Sequence, residues 1–266
     1  MKESIPVVIM TSRGPRHSYF CSELAKHFSI RGIVVDDRYR ARDRVLTFLR
    51  SNGWNPFRIA RSLSLKKKIA PFESRDRRIE EEFFPSNSEG EFPSGIPVLF
   101  SRDPNGEETL RWIRERSPDF LAVFGTRMIR PPVLSLARCA ALNLHTGLSP
   151  FCRGGQCTFW CLYEGDLDHL GVTVHHLSDR IDGGDIIYTA RPEIGPTDTV
   201  RSLECKLVAL GTDLMTRALR EVREGKAPRI PQREKGKLFL SKEFTLQKRL
   251  QLEERLKQGW LGELVP

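Results

Sequence analysis

Apolar residues along this chain fall into two rhythms. Short unbroken runs at 6–10, 96–100 and 120–124, and mixed runs at 31–35 and 140–144, are too brief for buried helices. They predict strands covered on both faces. Between them, residues 17–28 place Phe20, Leu24 and Phe28 at helical spacing, and residues 107–116 read as a second helix. Residues 158–163 start another helix. Residues 171–177 and 185–191 read as strands flanking a Gly-rich turn. Residues 199–223 form a long amphipathic helix stopped by Gly225 and Pro228. The strand–helix–strand alternation predicts an α/β, Rossmann-like fold: a mainly parallel sheet with flanking helices and right-handed crossovers.

The rhythm breaks between residues 36 and 92. Aromatic residues (Phe48, Trp54, Phe57, Phe72, Phe83 and Phe84) alternate with charged clusters, residues 45–49 and 79–84 have helical character, and residues 86–95 read as loop. From Asp36 to Arg78 there are 13 Lys/Arg against 5 Asp/Glu, so this stretch carries +8 of the formal +9. It reads as a basic insertion in the body, too short and too charged to hold a large core of its own. The expected organisation is a catalytic body at 1–228 and a short C-terminal extension at 229–266. In the extension, residues 237–240 read as a strand and 245–257 as a charged helix.

Composition narrows the classes. A hydrophobic share of 39% is ample for a core. No apolar run approaches the ~20 residues of a membrane span, and the run after Glu3 is too short for a secretory signal, reading instead as a first strand. The six cysteines form no Cys-x-x-Cys pair, and a chain of 266 residues does not depend on disulfide staples. A reduced, cytoplasmic protein without a membrane partner is expected, and a homodimer is compatible with this reading.

Candidate chemistry gathers late in the chain. Asn143 and His145 end the predicted strand at 140–144, and Leu148, Pro150 and the Arg153-Gly154-Gly155 loop follow. Farther on, Ser178-Asp179-Arg180-Ile181-Asp182-Gly183-Gly184-Asp185 forms the Gly-rich turn. A carboxamide stabilises an oxyanion, an imidazole moves a proton, and a carboxylate tunes the imidazole. Asp179 and Asp182 are both also ordinary turn formers. Cys152, Cys157 and Cys161 near His145 and His169 match no common zinc spacing, so no metal is expected. His175 and His176 alternate faces on a strand, which puts at most one in the crevice and makes core or rim the default.

At these residues the chain resembles the folate-dependent formyltransferases. The family's Asn-x-His is met by Asn143 and His145. Its Leu-x-Pro-x-x-x-Gly loop is met by Leu148, Pro150 and Gly154, and its Asp-x-Leu-Asp-x-Gly turn by Asp179, Ile181, Asp182 and Gly184. Thr146-Gly147 stands where many members have Pro-Ser, and Ser149 where many have a second Leu. The resemblance covers residues 5–225. It implies the formyltransferase fold, 10-formyltetrahydrofolate as formyl donor, and Asn143, His145 and Asp182 as catalytic residues, Asp179 being the second candidate. It further implies a folate pocket lined by Gly125, Thr126, Arg127, Met128 and Ile129 together with Ser178, Asp179, Arg180 and Ile181.

Arg153, Gly154 and Gly155 are candidate substrate contacts, with a plain connector as the equal alternative. The acceptor implied is a small-molecule primary amine. Relative to the family's patterns, the chain has no Gly/Ser-rich phosphate loop after its first strand, and too few residues follow its last long helix for the C-terminal barrel of the methionyl-tRNA enzymes. A nucleotide-linked amino sugar is therefore the expected acceptor. Methionyl-tRNA or glycinamide ribonucleotide is the alternative, and a non-catalytic basic RNA-binding protein on this scaffold is a third reading. Nothing in the sequence breaks the catalytic set, which argues against the third reading, and the partner expected is the small-molecule amine with no nucleic acid.

Overall fold

The computed structural model describes residues 3–37, 53 and 55–265. The helical character expected at 45–49, and Arg38, Arg40, Arg42 and Arg44, lie outside the described residues. Nine strands are described: β1 Glu3–Thr11, β2 Phe28–Asp36, β3 Val98–Ser101, β4 Phe120–Phe124, β5 Ala140–His145, β6 Cys152–Gly154, β7 Val172–His176, β8 Ile186–Ala190 and β9 Lys237–Phe239. The helices are α1 Pro15–His27, α2 Pro56–Phe83, α3 Glu107–Arg116, α4 Pro131–Leu134, α5 Cys157–Glu164, α6 Val200–Arg223, α7 Leu246–Lys257 and α8 Trp260–Leu264.

Seven strands form one sheet in the order β3-β2-β1-β4-β5-β7-β8. The first five pair in parallel, while β7 and β8 join antiparallel. This is the mainly parallel α/β architecture expected from the sequence. Strand order reverses between β1 and β4, which places a crevice beyond the carboxyl ends of these strands. Alternation along β1 splits the core. Val7 and Ile9 face α1, α5 and α6, whereas Val8 and Met10 face Leu110 and Ile113 of α3. No helix among the described residues is long and apolar enough to cross a membrane.

Helix α2 was only partly foreseen, its expected portion being residues 79–84. It starts at Asn55, whose side-chain oxygen accepts from the amides of Phe57 and Arg58, with Pro56 in the first turn. Its buried residues are Ile69 and Asp76. Charge anchors it: Arg75 reaches Glu253 at 2.9 Å, Asp76 accepts from Arg249 at 3.0 Å, and Glu80 lies with Glu204 between Arg16 and Arg201.

The C-terminal segment packs on the same core as the sheet. Phe239, Leu252 and Leu261 are buried in the main cluster, and the Phe239 ring stacks on Trp160 at 5.0 Å. β9 pairs in parallel with β6, Gly154 facing Phe239. All six cysteines are free; Cys139 is exposed, and the other five are buried.

Candidate functional site

Three loops and two strands bring the candidate residues together. Asn143 on β5 stands opposite His175 on β7 in antiparallel register. The chain after β7 leaves beside Ala141, where Leu177 donates to its carbonyl, and then returns toward Asn143 and His145 through the Asp182 turn. A Cβ at Gly184 in that turn would run into the His176 carbonyl, so the return requires glycine there.

Asp182 is the hub. Its Oδ2 accepts from the Gly154 amide at 2.8 Å and lies 3.6 Å from His145 Nδ1. Its Oδ1 lies 3.5 Å from Asn143 Nδ2 and 3.6 Å from His175 Nε2. Burial pushes the Asp182 pKa up, but the charge of His145, then His175 and the Gly154 amide, outweigh it and hold the carboxyl well below its usual range.

The rings are oriented by what their other nitrogens meet. His145 Nε2 lies 2.9 Å from the Cys152 carbonyl, which only accepts, so this nitrogen carries a hydrogen. His145 is 7% exposed. A Cβ at Gly147 would run into His145 Nε2, so the glycine leaves room for the ring. His175 Nδ1 faces the His176 carbonyl at 2.8 Å, so in the neutral ring Nε2 accepts from Asn143 Nδ2 at 3.1 Å. The carboxylate on the other side fixes the Asn143 amide with its nitrogen inward.

The remaining candidates divide. Asp179, Arg180 and Ile181 are exposed, and Ser178 is tied to Arg180 within its own turn. Only the second aspartate reaches Asn143 and His145. At the exit of β4, Gly125 lies against the His17 ring and Thr126 bonds to the Arg127 carbonyl. The Arg127 amide and guanidinium hold the fully buried Asp36 carboxylate, at 2.9 and 2.7 Å. Asn105 brackets the next residues, donating to the Met128 carbonyl at 3.0 Å and accepting from the Arg130 amide at 2.7 Å. Met128 is exposed, while Ile129 is buried in the core beneath α3. Arg153 donates to the Gly236 carbonyl at 3.1 Å, and the Gly155 amide donates to Phe239 at 3.0 Å, so the Arg-Gly-Gly stretch is a strand edge bonded to the C-terminal segment.

Sequence reasoning left out two residues that touch this group. On sequence alone His175 reads as core or rim. Its register opposite Asn143 depends on an antiparallel pairing that the parallel rhythm did not announce. Gln232, in the C-terminal segment, donates to two backbone carbonyls of the Asp182 turn. No local pattern around it signals this. Among the described residues no group of three or more His, Cys, Asp or Glu side chains has the placement to hold a metal ion.

Comparison with known proteins gives a consistent picture. Residues 39–219 match the model of the family described as "Formyl transferase". The chain is 34% identical over 142 residues to a methionyl-tRNA formyltransferase of Halothermothrix orenii, and 33% over 139 residues to one of Bacteroides fragilis. These alignments cover 53% and 52% of this chain but only 44% and 43% of the relatives, so the chain matches less than half the length of either. Among solved structures, a sugar N-formyltransferase from a Shewanella species matches with a TM-score of 0.56 at 16% identity, over 93% of this chain and 86% of its own. A likely sugar N-formyltransferase from Mycobacterium tuberculosis matches at 0.55 and 17%, over 90% and 76%. Glycinamide ribonucleotide transformylase 1 from Symbiobacterium toebii matches at 0.55 and 18%, over 85% and 94%. At these identities the structural likeness establishes the fold.

Proposed function

Because this chain belongs to the formyl transferase family, we propose that it moves the formyl group of 10-formyltetrahydrofolate to a primary amine, with Asn143, His145 and Asp182 carrying the chemistry. The observation that supports this most is the convergence of Asn143 and His145 on one largely enclosed carboxylate, that of Asp182, whose side chain is 13% exposed. The acceptor amine attacks the formyl carbon and forms the new C–N bond. Negative charge then develops on the formyl oxygen, toward which the Asn143 carboxamide and the His145 imidazole turn N–H groups that otherwise meet His175, Asp182 and the Cys152 carbonyl. Asp182, 3.6 Å from Nδ1, orients the imidazole. The amine's proton passes to the folate nitrogen as its bond to carbon breaks, releasing tetrahydrofolate and the N-formyl product. Each proton-handling group supplies about 10²- to 10⁴-fold. Residues 125–129 and 178–181 hold the folate, the exposed Met128 and Ile181 offering apolar edges to a planar heterocycle. Arg153, Gly154 and Gly155 border the acceptor.

For the acceptor, the reading is an amino sugar carried on a nucleotide. Its support is the fold likeness to sugar N-formyltransferases, which extends over 90% and 93% of this chain. A second reading, methionyl-tRNA, is supported by the named sequence relatives and by the amino-terminal half of α2, where Arg58, Arg61, Lys66, Lys67 and Lys68 cluster. The test is incubation with 10-formyltetrahydrofolate and a panel of amines, including nucleotide amino sugars and charged methionyl-tRNA, read by mass gain of one formyl group. Formylation of the nucleotide sugar supports the first reading. Formylation of methionyl-tRNA with steep salt dependence transfers support to the second. No transfer to any amine, with no stabilisation by a reduced folate, overturns the proposal.

A further inference from the structure

Asp182 holds an uncommon backbone conformation, with φ at 47°. A non-glycine residue persists there only when its surroundings hold it. Next to it are Gly183 and Gly184, which by themselves constrain the chain least. Something must therefore fix this turn.

The candidate is Gln232. Its Nε2 donates to the Asp182 carbonyl at 2.9 Å and to the Gly184 carbonyl at 2.6 Å, so one amide brackets the turn. The orientation follows from its partners: reversed, the amide would set its oxygen against two carbonyl oxygens. As placed, Oε1 is buried without a hydrogen-bond partner, a cost tolerated for the two donations.

Gln232 is itself held on both sides. Ile230 and Ile186 exchange reciprocal backbone bonds of 2.8 and 2.9 Å just upstream. Downstream, Gly236 packs against Pro150 and Phe151, and β9 then runs along β6. β6 presents the Gly154 amide that binds the Asp182 carboxylate. The segment from Ile230 to Phe239 thus touches Asp182 directly at its backbone, through Gln232, and pairs through β9 with the strand whose Gly154 amide binds its carboxylate. It also lies beyond residue 219, where the family match ends.

We propose that Gln232 is a positioning residue for Asp182, and that the C-terminal segment thereby forms part of the site. This rests on the proposed role of Asp182 in formyl transfer. The test compares Gln232→Met, which keeps length and bulk but loses both donors, and Gln232→Glu, which has no donor when ionised, with the unchanged protein. Three quantities are read: the melting temperature, kcat and KM with 10-formyltetrahydrofolate and whichever panel amine is accepted, and the ¹³C titration of the Asp182 carboxyl, assigned with Asp182→Asn.

In both variants kcat falls by about tenfold to a hundredfold, as expected for a catalytic group displaced on the order of 1 Å. KM for the folate stays near its original value, and the Asp182 carboxyl titrates at higher pH than in the unchanged protein. Unaltered kcat and an unaltered titration in Gln232→Met overturn the proposal. So does a loss of activity that matches the loss of folded protein, which would make Gln232 a staple only. If the unchanged protein transfers formyl to no amine, the functional reading falls, and the carboxyl titration still decides whether Gln232 positions Asp182.

Discussion

Asp182 shows how much one side chain is asked to do. It meets Asn143, His145, His175 and the Gly154 amide at 2.8–3.6 Å. Asp182→Asn should lower kcat by at least ~10²-fold, as should His145→Ala and Asn143→Ala. Asp179→Asn should lower kcat less, since that residue is exposed and apart from the group. Steady-state rates of the four variants check this, and a larger loss at Asp179 would reassign the carboxylate. The depressed pKa of Asp182 adds a stability signature. A carboxyl bound more tightly as the anion stabilises the fold above its unfolded pKa of about 4, and that contribution is lost as pH falls toward the lower folded value. Urea unfolding should therefore show a difference between unchanged and Asp182→Asn protein that is level near neutrality and shrinks below about pH 4. Parallel pH curves would contradict it.

Helix α6 carries the sheet beneath the site, and its glycine is informative. A Cβ at Gly211 would come within 2.7 Å of Val172 Cγ2 and 2.9 Å of Leu144, the residue between Asn143 and His145. Helix propensity alone makes alanine better by about 1 kcal/mol. Overpacking should reverse the sign and cost ~1–3 kcal/mol. Thermal melts of Gly211→Ala decide which effect wins, and a raised melting temperature would mean α6 stands farther from β5.

At this scale the sequence was most legible where the pattern was local. β4 and α3 fall where their apolar and helical spacings put them, and Thr199 caps α6 with Ser202. Asn143 and His145 were readable because a strand end and a motif coincide. Most of α2 was not, because it buries only Ile69 and Asp76, contains Pro71, and leaves no apolar stripe to find. β6 is three residues long and exists through its pairing with β9. Non-local pairing of that kind also hid Gln232. His175 needed a strand direction that alternation alone does not supply.

Over the whole molecule, the boundary expected at residue 228 can be put to a physical test. Phe239, Leu252 and Leu261 lie in the core with the sheet. Burying each such side chain contributes about 1.5–3 kcal/mol, against a total stability of ~5–15 kcal/mol. A chain ending at residue 228 should lose its cooperative melt or precipitate. A melt close to that of the full chain would make the first 228 residues self-sufficient. A reduced folate should raise the melting temperature of the full chain, as any ligand of the native state does. The distribution of cysteines has a practical use as well. With Cys139 exposed and five thiols buried, a small alkylating reagent should add once per native molecule and six times per unfolded one. Mass spectrometry of a timed labelling reaction then counts opening events directly. The spacing of the intermediate masses would tell whether Cys152, Cys157 and Cys161 are uncovered together with Cys21 and Cys205 or ahead of them, a map of cooperativity that needs no engineered probe.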